Sequence, residues 1–331
     1  MMSEHTHFKP PRGFRNPHLQ TLLPRLLFRS RPWSGYWRQF ELSDGDFVDL
    51  CWYQTPEPDS DKPILLIFHG LEGSVESPYV WQTLQLAANS GWQALVMHFR
   101  GCGRSGLNRL PRAYHSGDTG DAEQLINTLR LDYPRAPLLL AGFSLGGNML
   151  AQLLTRTIGQ SVTAASICCA PLDLGSCSAK IDKGFSRIYR RYLLSPLKQK
   201  FKAKLAAGIM AADHPLANVD VDPMTSFLQF DHCVTAPLHG FSGVNDYYQQ
   251  ASGRQFVPQI EVPTLILHAA DDPFMGPAVI PEAEELPAAV RYQCYEHGGH
   301  MGFIMRQQGQ WHSWLPQHIL NFLKEQLNGN A

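Results

Sequence analysis

Short apolar segments alternate with amphipathic segments along most of the chain. The short apolar runs predict strands at residues 64–68, 93–99, 137–141, 164–169, 264–268 and 291–295. The amphipathic segments predict helices at residues 79–89, 119–131, 145–158 and 311–327. This alternation is typical of a mostly parallel sheet with helices on both faces, so the predicted fold class is α/β.

The first part of the chain follows other patterns. Residues 1–15 are polar and contain proline, which predicts a loose N-terminal arm. Residues 16–27 are apolar but interrupted by prolines, and they predict a short helix packed on the main body. Residues 33–40 and 47–54 flank a turn sequence and predict an antiparallel hairpin.

The alternation stops between Cys169 and Pro263. Residues 172–255 contain helix-like stretches without a convincing strand, which predicts an inserted cap above the strand ends; residues 16–171 and 256–331 then form the core. Within the cap, residues 180–204 contain nine Lys or Arg and one acid, interleaved with aromatic and aliphatic residues. This pattern fits weak contact with an anionic membrane surface or an anionic substrate, or a helix pair with a solvated basic face.

Composition excludes several classes of function. The 331 residues are 44% hydrophobic and 17% charged, with a formal net charge of −1, so nothing indicates a nucleic-acid partner. No apolar run reaches the roughly 18 residues that a membrane span needs, and the N-terminus lacks the apolar core of a signal peptide. Seven cysteines without a C-x-x-C pair indicate reduced thiols. We therefore expect a cytoplasmic protein without a membrane span.

The candidate nucleophile is Ser144. It stands in a G-x-S-x-G motif, between Gly142 and Gly146, after an apolar strand and before a helix. This is the context of a nucleophile elbow, in which a sharp turn exposes the serine hydroxyl at the strand end. A plain strand-to-helix turn is the alternative interpretation.

A serine nucleophile needs a base and an acid, which follow it in the order acid, then histidine, in sheets of this kind. Asp271 and Asp272 come after the strand at residues 264–268, and His297 and His300 come after the strand at residues 291–295. We predict Asp272, which lies deeper in its turn, and His300, which lies beyond a Gly-Gly turn. The other aspartate would then be a solvated or loop-capping carboxylate, and His297 would pack locally.

An oxyanion site needs backbone amides rather than side chains. Leu145 follows the serine and supplies one amide. Leu71, in the loop after the strand at residues 64–68, is predicted to supply the second, and His69 is expected to hold that loop through hydrogen bonds.

Parts of the sequence also resemble a dinucleotide site and a metal site. Residues 101–106 match G-x-G-x-x-G, but a loop follows them where a dinucleotide site needs a helix, so no cofactor is predicted. Histidines and carboxylates at positions 268, 271, 272, 297 and 300 could be drawn as a metal site, but the elbow would then be unexplained and no H-E-x-x-H motif is present. No metal is therefore predicted.

Several motifs together resemble the α/β-hydrolase superfamily. They are the His-Gly pair after the strand at residues 64–68, the glycines at 101 and 103, the elbow, and the segments at 271–274 and 297–303. The segments at 16–22, 143–148 and 245–248 look like the YheT-type hydrolases. That branch is similar to yeast medium-chain fatty-acid ethyl ester synthase/esterases and to animal α/β-hydrolase-domain lipid hydrolases.

This resemblance implies an α/β-hydrolase fold and a triad of Ser144, Asp272 and His300. The expected function is hydrolysis of a small-molecule carboxylic ester through an acyl-enzyme on Ser144. The expected acyl chain is short to medium in length, judged from the apolar cap and the resemblance. Two alternatives remain open: an alcohol O-acyltransferase that uses the same triad, and a catalytically silent binding protein on a hydrolase scaffold.

Overall fold

The computed structural model describes residues 8–28 and 34–329. Residues 1–7 of the predicted arm and Trp33 of the predicted hairpin lie outside this range. The first described strand begins at Tyr36 and pairs antiparallel with the next, so the described part forms the predicted hairpin.

Eight strands form the main sheet of the described chain. They are β1 (Tyr36–Glu41), β2 (Phe47–Trp52), β3 (Ile64–Phe68), β4 (Gln93–Met97), β5 (Leu138–Phe143), β6 (Ala164–Cys168), β7 (Thr264–Ala269) and β8 (Val290–Tyr295). Their order across the sheet is β1-β2-β4-β3-β5-β6-β7-β8. β1, β2 and β4 pair antiparallel, and every other neighbouring pair is parallel.

Helices cover both faces of this sheet, and further helices lie in the segment between β6 and β7. They are α1 (Pro17–Leu27), α2 (Pro78–Asn89), α3 (Gly120–Asp132), α4 (Leu145–Leu153), α5 (Leu174–Ile181), α6 (Ser186–Ala206), α7 (Phe227–Phe230), α8 (Ala236–Leu238), α9 (Val244–Ala251) and α10 (Trp314–Gly329). None of the described helices is long and apolar enough to cross a membrane.

Alternate residues of the central strands serve two cores. In β3, Ile64, Leu66 and Phe68 pack with α3 and α4, whereas Leu65 and Ile67 pack with α2 and α10 on the other face. All five side chains are fully buried. Burial on both faces explains why this strand reads as a continuous apolar run, as a parallel strand between two helical layers should.

The segment between β6 and β7 contains no strand in the described structure. It holds α5 to α9 and a π-helical turn, Asp231–Thr235. We keep the name cap for its residues 172–255. A separate cluster around Leu194, Phe201 and Phe230 gives the cap a small apolar core of its own.

Two predicted helix boundaries were wrong. Residues 311–313 are not helical, because β9 (Ile304–Gln307) and β10 (Gln310–Ser313) pair as a hairpin, and α10 begins after it. Gln308 and Gly309 both have positive φ, as a two-residue hairpin turn requires. α4 ends at Leu153 rather than at residue 158, and a separate 3-10 turn, Thr157–Ser161, follows it.

One residue of the described N-terminal segment is anchored to the core. Phe8 is buried, with its ring centroid 5.1 Å from that of Phe303 and 5.4 Å from that of Trp314. Residues 8–28 therefore contact the C-terminal part of the fold at this point.

Candidate active site

Ser144 lies in a tight turn between β5 and α4. Its φ of +51° is in the left-handed region, which non-glycine residues seldom occupy. Its amide donates to the carbonyl of Cys168 at 2.9 Å. A Cβ on Gly142 would lie 2.6 Å from the carbonyl oxygen of Gly146, and one on Gly146 would lie 2.5 Å from that of His69. Close backbone contacts therefore require both glycines of the motif.

The side chains of Ser144, His300 and Asp272 form one connected row. Nε2 of His300 is 3.1 Å from Oγ of Ser144, and Nδ1 is 2.8 Å from Oδ2 of Asp272. Asp272 and His300 are both buried, and the other oxygen of Asp272 accepts the amide of Phe274 at 2.8 Å. An imidazole that donates from Nδ1 to a carboxylate presents an unprotonated Nε2 to the serine hydroxyl, which is what a general base requires.

The competing aspartate and histidine lie elsewhere in the same loops. Asp271 accepts the amide of Gly299 at 2.9 Å, and its carboxylate lies 3.4 Å from Nδ1 of His297. Burial raises the pKa of Asp271. This pair stabilises the loop after β8, and no contact joins either residue to Ser144 in the described structure.

The loop that carries His300 is packed against α1. The amide of His300 donates to Oγ1 of Thr21 at 2.9 Å, and the amide of Ile304 donates to Oε1 of the buried Gln20 at 2.8 Å. A Cβ on Gly302 would lie 1.9 Å from the carbonyl oxygen of Gln20, so only glycine fits there. Helix α1 thus positions His300, a role that the sequence analysis did not anticipate.

The two predicted oxyanion donors lie beside the serine. Leu71 and Leu145 line a cavity together with Ser144, and a Cβ on Gly70 would lie 3.1 Å from the Cβ of Ser144. Within the described residues, neither leucine amide donates to another protein atom. Both amides are thus available to a ligand, and their role in holding an oxyanion stays a prediction.

His69 holds the loop that carries Leu71. Its Nδ1 lies 2.7 Å from the carbonyl oxygen of Gly70, and its Nε2 accepts the amide of Phe99 at 3.1 Å. Burial, helped by neighbouring His98, lowers the pKa of His69 to about 3. The ring is therefore neutral and bridges two loops of the core.

Glu72 connects this loop to the cap. Its backbone has a φ of +53°, its amide donates to the hydroxyl of Tyr114 at 2.9 Å, and that hydroxyl donates back to its carboxylate at 2.8 Å. The other carboxylate oxygen lies 2.6 Å from Nζ of Lys200 on α6. An ion pair between cap and core therefore adjoins the candidate oxyanion site. No motif in the sequence signalled it.

The glycine-rich loop after β4 is explained by packing. A Cβ on Gly103 would lie 2.2 Å from a carboxylate oxygen of Asp49, and that carboxylate accepts both the amide and the hydroxyl of Ser105. The next helix, α3, begins only at Gly120. The helix N-terminus that a dinucleotide pyrophosphate needs does not follow this motif.

The candidate metal ligands at positions 268, 271, 272, 297 and 300 do not form one group of ligand atoms in the described structure. His268 lies 2.9 Å from the carbonyl oxygen of Ala170 through its Nε2. In the described residues, His115, Asp118 and His239 form a different group, whose potential ligand atoms lie within 4.8 Å of one another. The guanidinium of Arg112 donates to Asp118 at 2.6 Å, and its positive charge disfavours a cation at this point.

Ser144 lies between two cavities. The first, of about 180 Å³, is enclosed by the cap, and we name it the cap cavity. The second, of about 250 Å³, lies between α1 and the first turns of α6, and we name it the α1 cavity. Leu71, Leu193 and Phe274 line both cavities, whereas His300 lines only the α1 cavity.

The cap cavity has a largely apolar wall. Its apolar side chains from α5, α6 and the 227–239 segment include Leu174, Leu193, Leu197, Phe201, Phe227, Phe230 and Leu238. Lys200 also reaches this wall, where Glu72 neutralises its charge. Such a cavity suits a hydrocarbon chain.

Residues 63–307 match the α/β hydrolase fold family, and the chain belongs to that family. The predicted fold and family are thus confirmed. The chain is 44% identical to YheT of Escherichia coli (strain K12) over 330 residues, which cover 99% of this chain and 96% of YheT. It is 28% identical over 287 residues to the monoacylglycerol lipase of Saccharomyces cerevisiae (strain ATCC 204508 / S288c), covering 82% of this chain and 62% of the lipase.

Solved structures support the same fold. The Pyrococcus furiosus esterase Pf2001 matches with a TM-score of 0.56 and 15% identity, covering 91% of this chain and 98% of the esterase.

A further curated relative is the medium-chain fatty acid ethyl ester synthase/esterase 2 of S. cerevisiae, 27% identical over 306 residues, with 86% of this chain and 64% of that protein covered.

Proposed function

We propose that this chain is a serine carboxylic-ester hydrolase that acts through an acyl-enzyme on Ser144. The observation that carries the proposal is the position of His300, whose two ring nitrogens face Ser144 and Asp272 at 3.1 Å and 2.8 Å. The esterase and lipase names of the relatives support the same reaction class.

The proposed reaction has two halves. His300 takes the proton of Ser144 as the serine oxygen attacks the ester carbonyl, and Asp272 stabilises the resulting imidazolium. The amides of Leu71 and Leu145 hold the oxyanion. His300 then protonates the departing alcohol. Water attacks the acyl-enzyme, with His300 again as base, and releases the carboxylic acid and free Ser144.

We infer the roles of the two cavities from the position of His300. The departing alcohol must receive its proton from His300, so the alcohol part of the ester belongs in the cavity that His300 lines, which is the α1 cavity. The acyl chain then enters the cap cavity, on the opposite side of Ser144. The apolar wall and modest volume of that cavity favour a short-to-medium acyl chain.

One feature keeps acyl transfer to an alcohol as a second candidate. The α1 cavity adjoins both Ser144 and His300, so a bound alcohol there could attack the acyl-enzyme in place of water. The name of the yeast ethyl ester synthase/esterase relative joins both activities in one protein.

A fluorophosphonate probe tests the proposal directly. We expect covalent labelling of the wild-type protein, located at Ser144 by peptide mass spectrometry, and no labelling of a folded Ser144→Ala variant. A folded wild-type protein that remains unlabelled would favour the silent binding protein. With p-nitrophenyl esters of increasing chain length, ester product formed only in added ethanol would identify the transferase activity.

A further inference from the structure

Exposed apolar side chains are concentrated at the mouth of the α1 cavity. Ten large hydrophobic residues are exposed in the described structure, and seven of them belong to α1 or to the start of α6. They are Leu19, Leu22, Leu26, Leu27, Phe185, Ile188 and Tyr192. A cluster of this kind on a protein surface marks an interaction site more often than scattered single residues do.

The two helices present these side chains in matching stripes. Leu19, Leu22 and Leu26 are three and four residues apart on α1, a spacing that places them on one helix face. Phe185, Ile188 and Tyr192 repeat the same spacing at the start of α6, which places them on one face as well. Each stripe is therefore a continuous apolar strip rather than a set of scattered contacts.

Direct contacts join the two stripes into one surface. The ring of His18 lies 4.4 Å from that of Phe185, and its Nδ1 lies 3.0 Å from the hydroxyl of Tyr189. Arg25 donates to the hydroxyl of Tyr192, with its guanidinium 4.8 Å above that ring. The surface formed by these two stripes is named the entrance patch.

Positive charge predominates around the entrance patch, and Asp182, which lies just before the patch in sequence, is paired with Arg190. Neither α1 nor α6 contains an acidic residue. Arg25, Arg187 and Arg191 are exposed beside the apolar stripes. Arg187 and Arg191 form no ion pair with another described residue, whereas Lys200 and Lys202, further along α6, pair with Glu72 and Asp222. Exposed arginines without an ion pair among the described residues therefore lie at the end of α6 that adjoins the patch.

We propose that the entrance patch docks on an anionic lipid surface and places the mouth of the α1 cavity against it. Apolar stripes flanked by arginine, with no acid on either helix, are the features by which helices bind the interface of anionic membranes. Leu22, Ile188 and Tyr192 belong both to the patch and to the wall of the α1 cavity, so a docked lipid has a continuous apolar path to Ser144. This proposal extends the proposed function, because it names membrane-borne lipid esters as the substrate class.

The structure divides the basic stretch that the sequence analysis singled out at residues 180–204. Its second half serves the fold, since Lys204 is buried and donates to the carbonyls of Leu110 and Arg112. Its first half, with Arg187 and Arg191, supplies the charge at the patch. The two interpretations of that stretch therefore apply to different parts of it.

Co-sedimentation with vesicles tests the docking without any catalysis. The Ser144→Ala protein is mixed with vesicles of phosphatidylcholine containing about one third phosphatidylglycerol, and with vesicles of phosphatidylcholine alone. We expect stronger binding to the anionic vesicles. We also expect the binding to fall by about fivefold for each arginine replaced in Arg187→Gln and Arg191→Gln, and to weaken as salt is raised.

The apolar contribution is tested at residues outside both cavities. Leu19→Ser combined with Leu26→Ser should reduce vesicle binding by at least about tenfold, because each leucine loses its burial in the interface. Leu131→Ser, at an exposed leucine of α3, and Arg156→Gln, at an exposed arginine after α4, are the matched controls and should bind like the parent.

The outcomes separate docking from catalysis. Equal binding to both vesicle types, or equal binding by patch and control variants, overturns the docking proposal. So does a concentration-dependent dimer in sedimentation velocity that Leu26→Ser abolishes, since the patch would then join two copies of the chain. When Ser144 is intact, the patch variants should hydrolyse a water-soluble ester at the wild-type rate. A wild-type protein that does not hydrolyse such an ester would overturn the proposed function, and the docking result would still stand.

Discussion

The two sides of Ser144 are built by different means. On the core side, Asp272 follows the buried strand β7 and His300 lies in the loop after the edge strand β8, and each makes additional hydrogen bonds to backbone or to α1. On the cap side, helices with a small core of their own form the cavity wall, and the Glu72–Lys200 ion pair is one of the contacts that connect them to the site.

In the proposed function, the core side carries out the reaction and the cap side selects the substrate. Loops that are held by hydrogen bonds to backbone and to α1 can move little, so they suit groups that must stay aligned for proton transfer. Helices with a small apolar core of their own can vary in position more easily, and they suit a wall that selects among acyl chains.

Replacing the base should cause the largest loss. His300→Ala is expected to lower kcat by about 10⁵–10⁶, because the serine then has no group to take its proton. His297→Ala, in the same loop, is the matched control and should stay within about tenfold of the wild type. Steady-state hydrolysis of a soluble ester measures both. A comparable loss in the two variants would assign a catalytic task to His297.

Substitutions of the two adjacent aspartates should lower kcat by very different factors, although the larger loss is smaller than that of His300→Ala. Asp272→Asn should lower kcat by about 10⁴, because the amide no longer holds the imidazole in the required tautomer. Asp271→Asn keeps an oxygen that accepts the amide of Gly299 and loses only the negative charge beside His297, so it should cost roughly tenfold or less. Both are measured in the same assay, with circular dichroism as the check on folding. The reverse order of effects would contradict the assignment of Asp272.

The core side should be sensitive to acid. Burial lowers the pKa of His69 to about 3 and that of His98 to about 4, so both are neutral in the fold. Below pH 6.5 the unfolded chain binds protons that the folded chain excludes, and stability falls as the pH drops towards these lowered values. Each histidine should cost about 2 kcal/mol of unfolding free energy between pH 7 and pH 5.

Urea unfolding at the two pH values checks this expectation. In His98→Gln, the difference in unfolding free energy between pH 7 and pH 5 should be smaller than in the wild type, whatever the stability of the variant at pH 7. His312→Gln, at an exposed histidine, serves as control and should keep the wild-type dependence. An unchanged dependence in His98→Gln would mean that His98 does not titrate as the fold implies.

The contact between cap and core should give the smallest effect. Lys200→Met leaves Glu72 without its cation and is expected to lower kcat by about tenfold with little change in KM. The reason is that the backbone amide of Leu71, next to Glu72, would be held less well for the transition state. Lys202→Met is the matched control, since it removes an exposed pair on the same helix. Lys200→Arg should restore most of the rate. A change confined to KM would place Lys200 in substrate binding instead.

Local patterns predicted the parts of the molecule that depend on neighbouring residues. The apolar runs predicted the core strands, and the spacing of Gly142, Ser144 and Gly146 predicted the elbow. The order of Asp272 and His300 after later strands predicted that they would lie near Ser144, and the structure brings His300 against Ser144 and Asp272 against His300. These inferences succeed because parallel strands place their carboxyl ends along one edge.

Contacts between distant segments were not predictable in this way. The pairing of Glu72 with Lys200 depends on how α6 crosses the core, and a lysine among nine basic residues carries no mark of its partner. The hairpin of β9 and β10 was missed because its turn is Gln308-Gly309 rather than the commoner Asn-Gly pair. The entrance patch is defined by the solvent exposure of its apolar side chains, and the spacing of residues in the sequence does not show which side chains are exposed.

The contact between Thr21 and His300 has a consequence for how the protein matures. The hydrogen bond joins residues that are 279 positions apart, and Gln20 reaches Ile304 across a similar interval. During synthesis α1 leaves the ribosome long before its docking partner. The histidine loop therefore reaches its final position only after the core between them has been synthesised, and a shorter nascent chain has no aligned base beside Ser144.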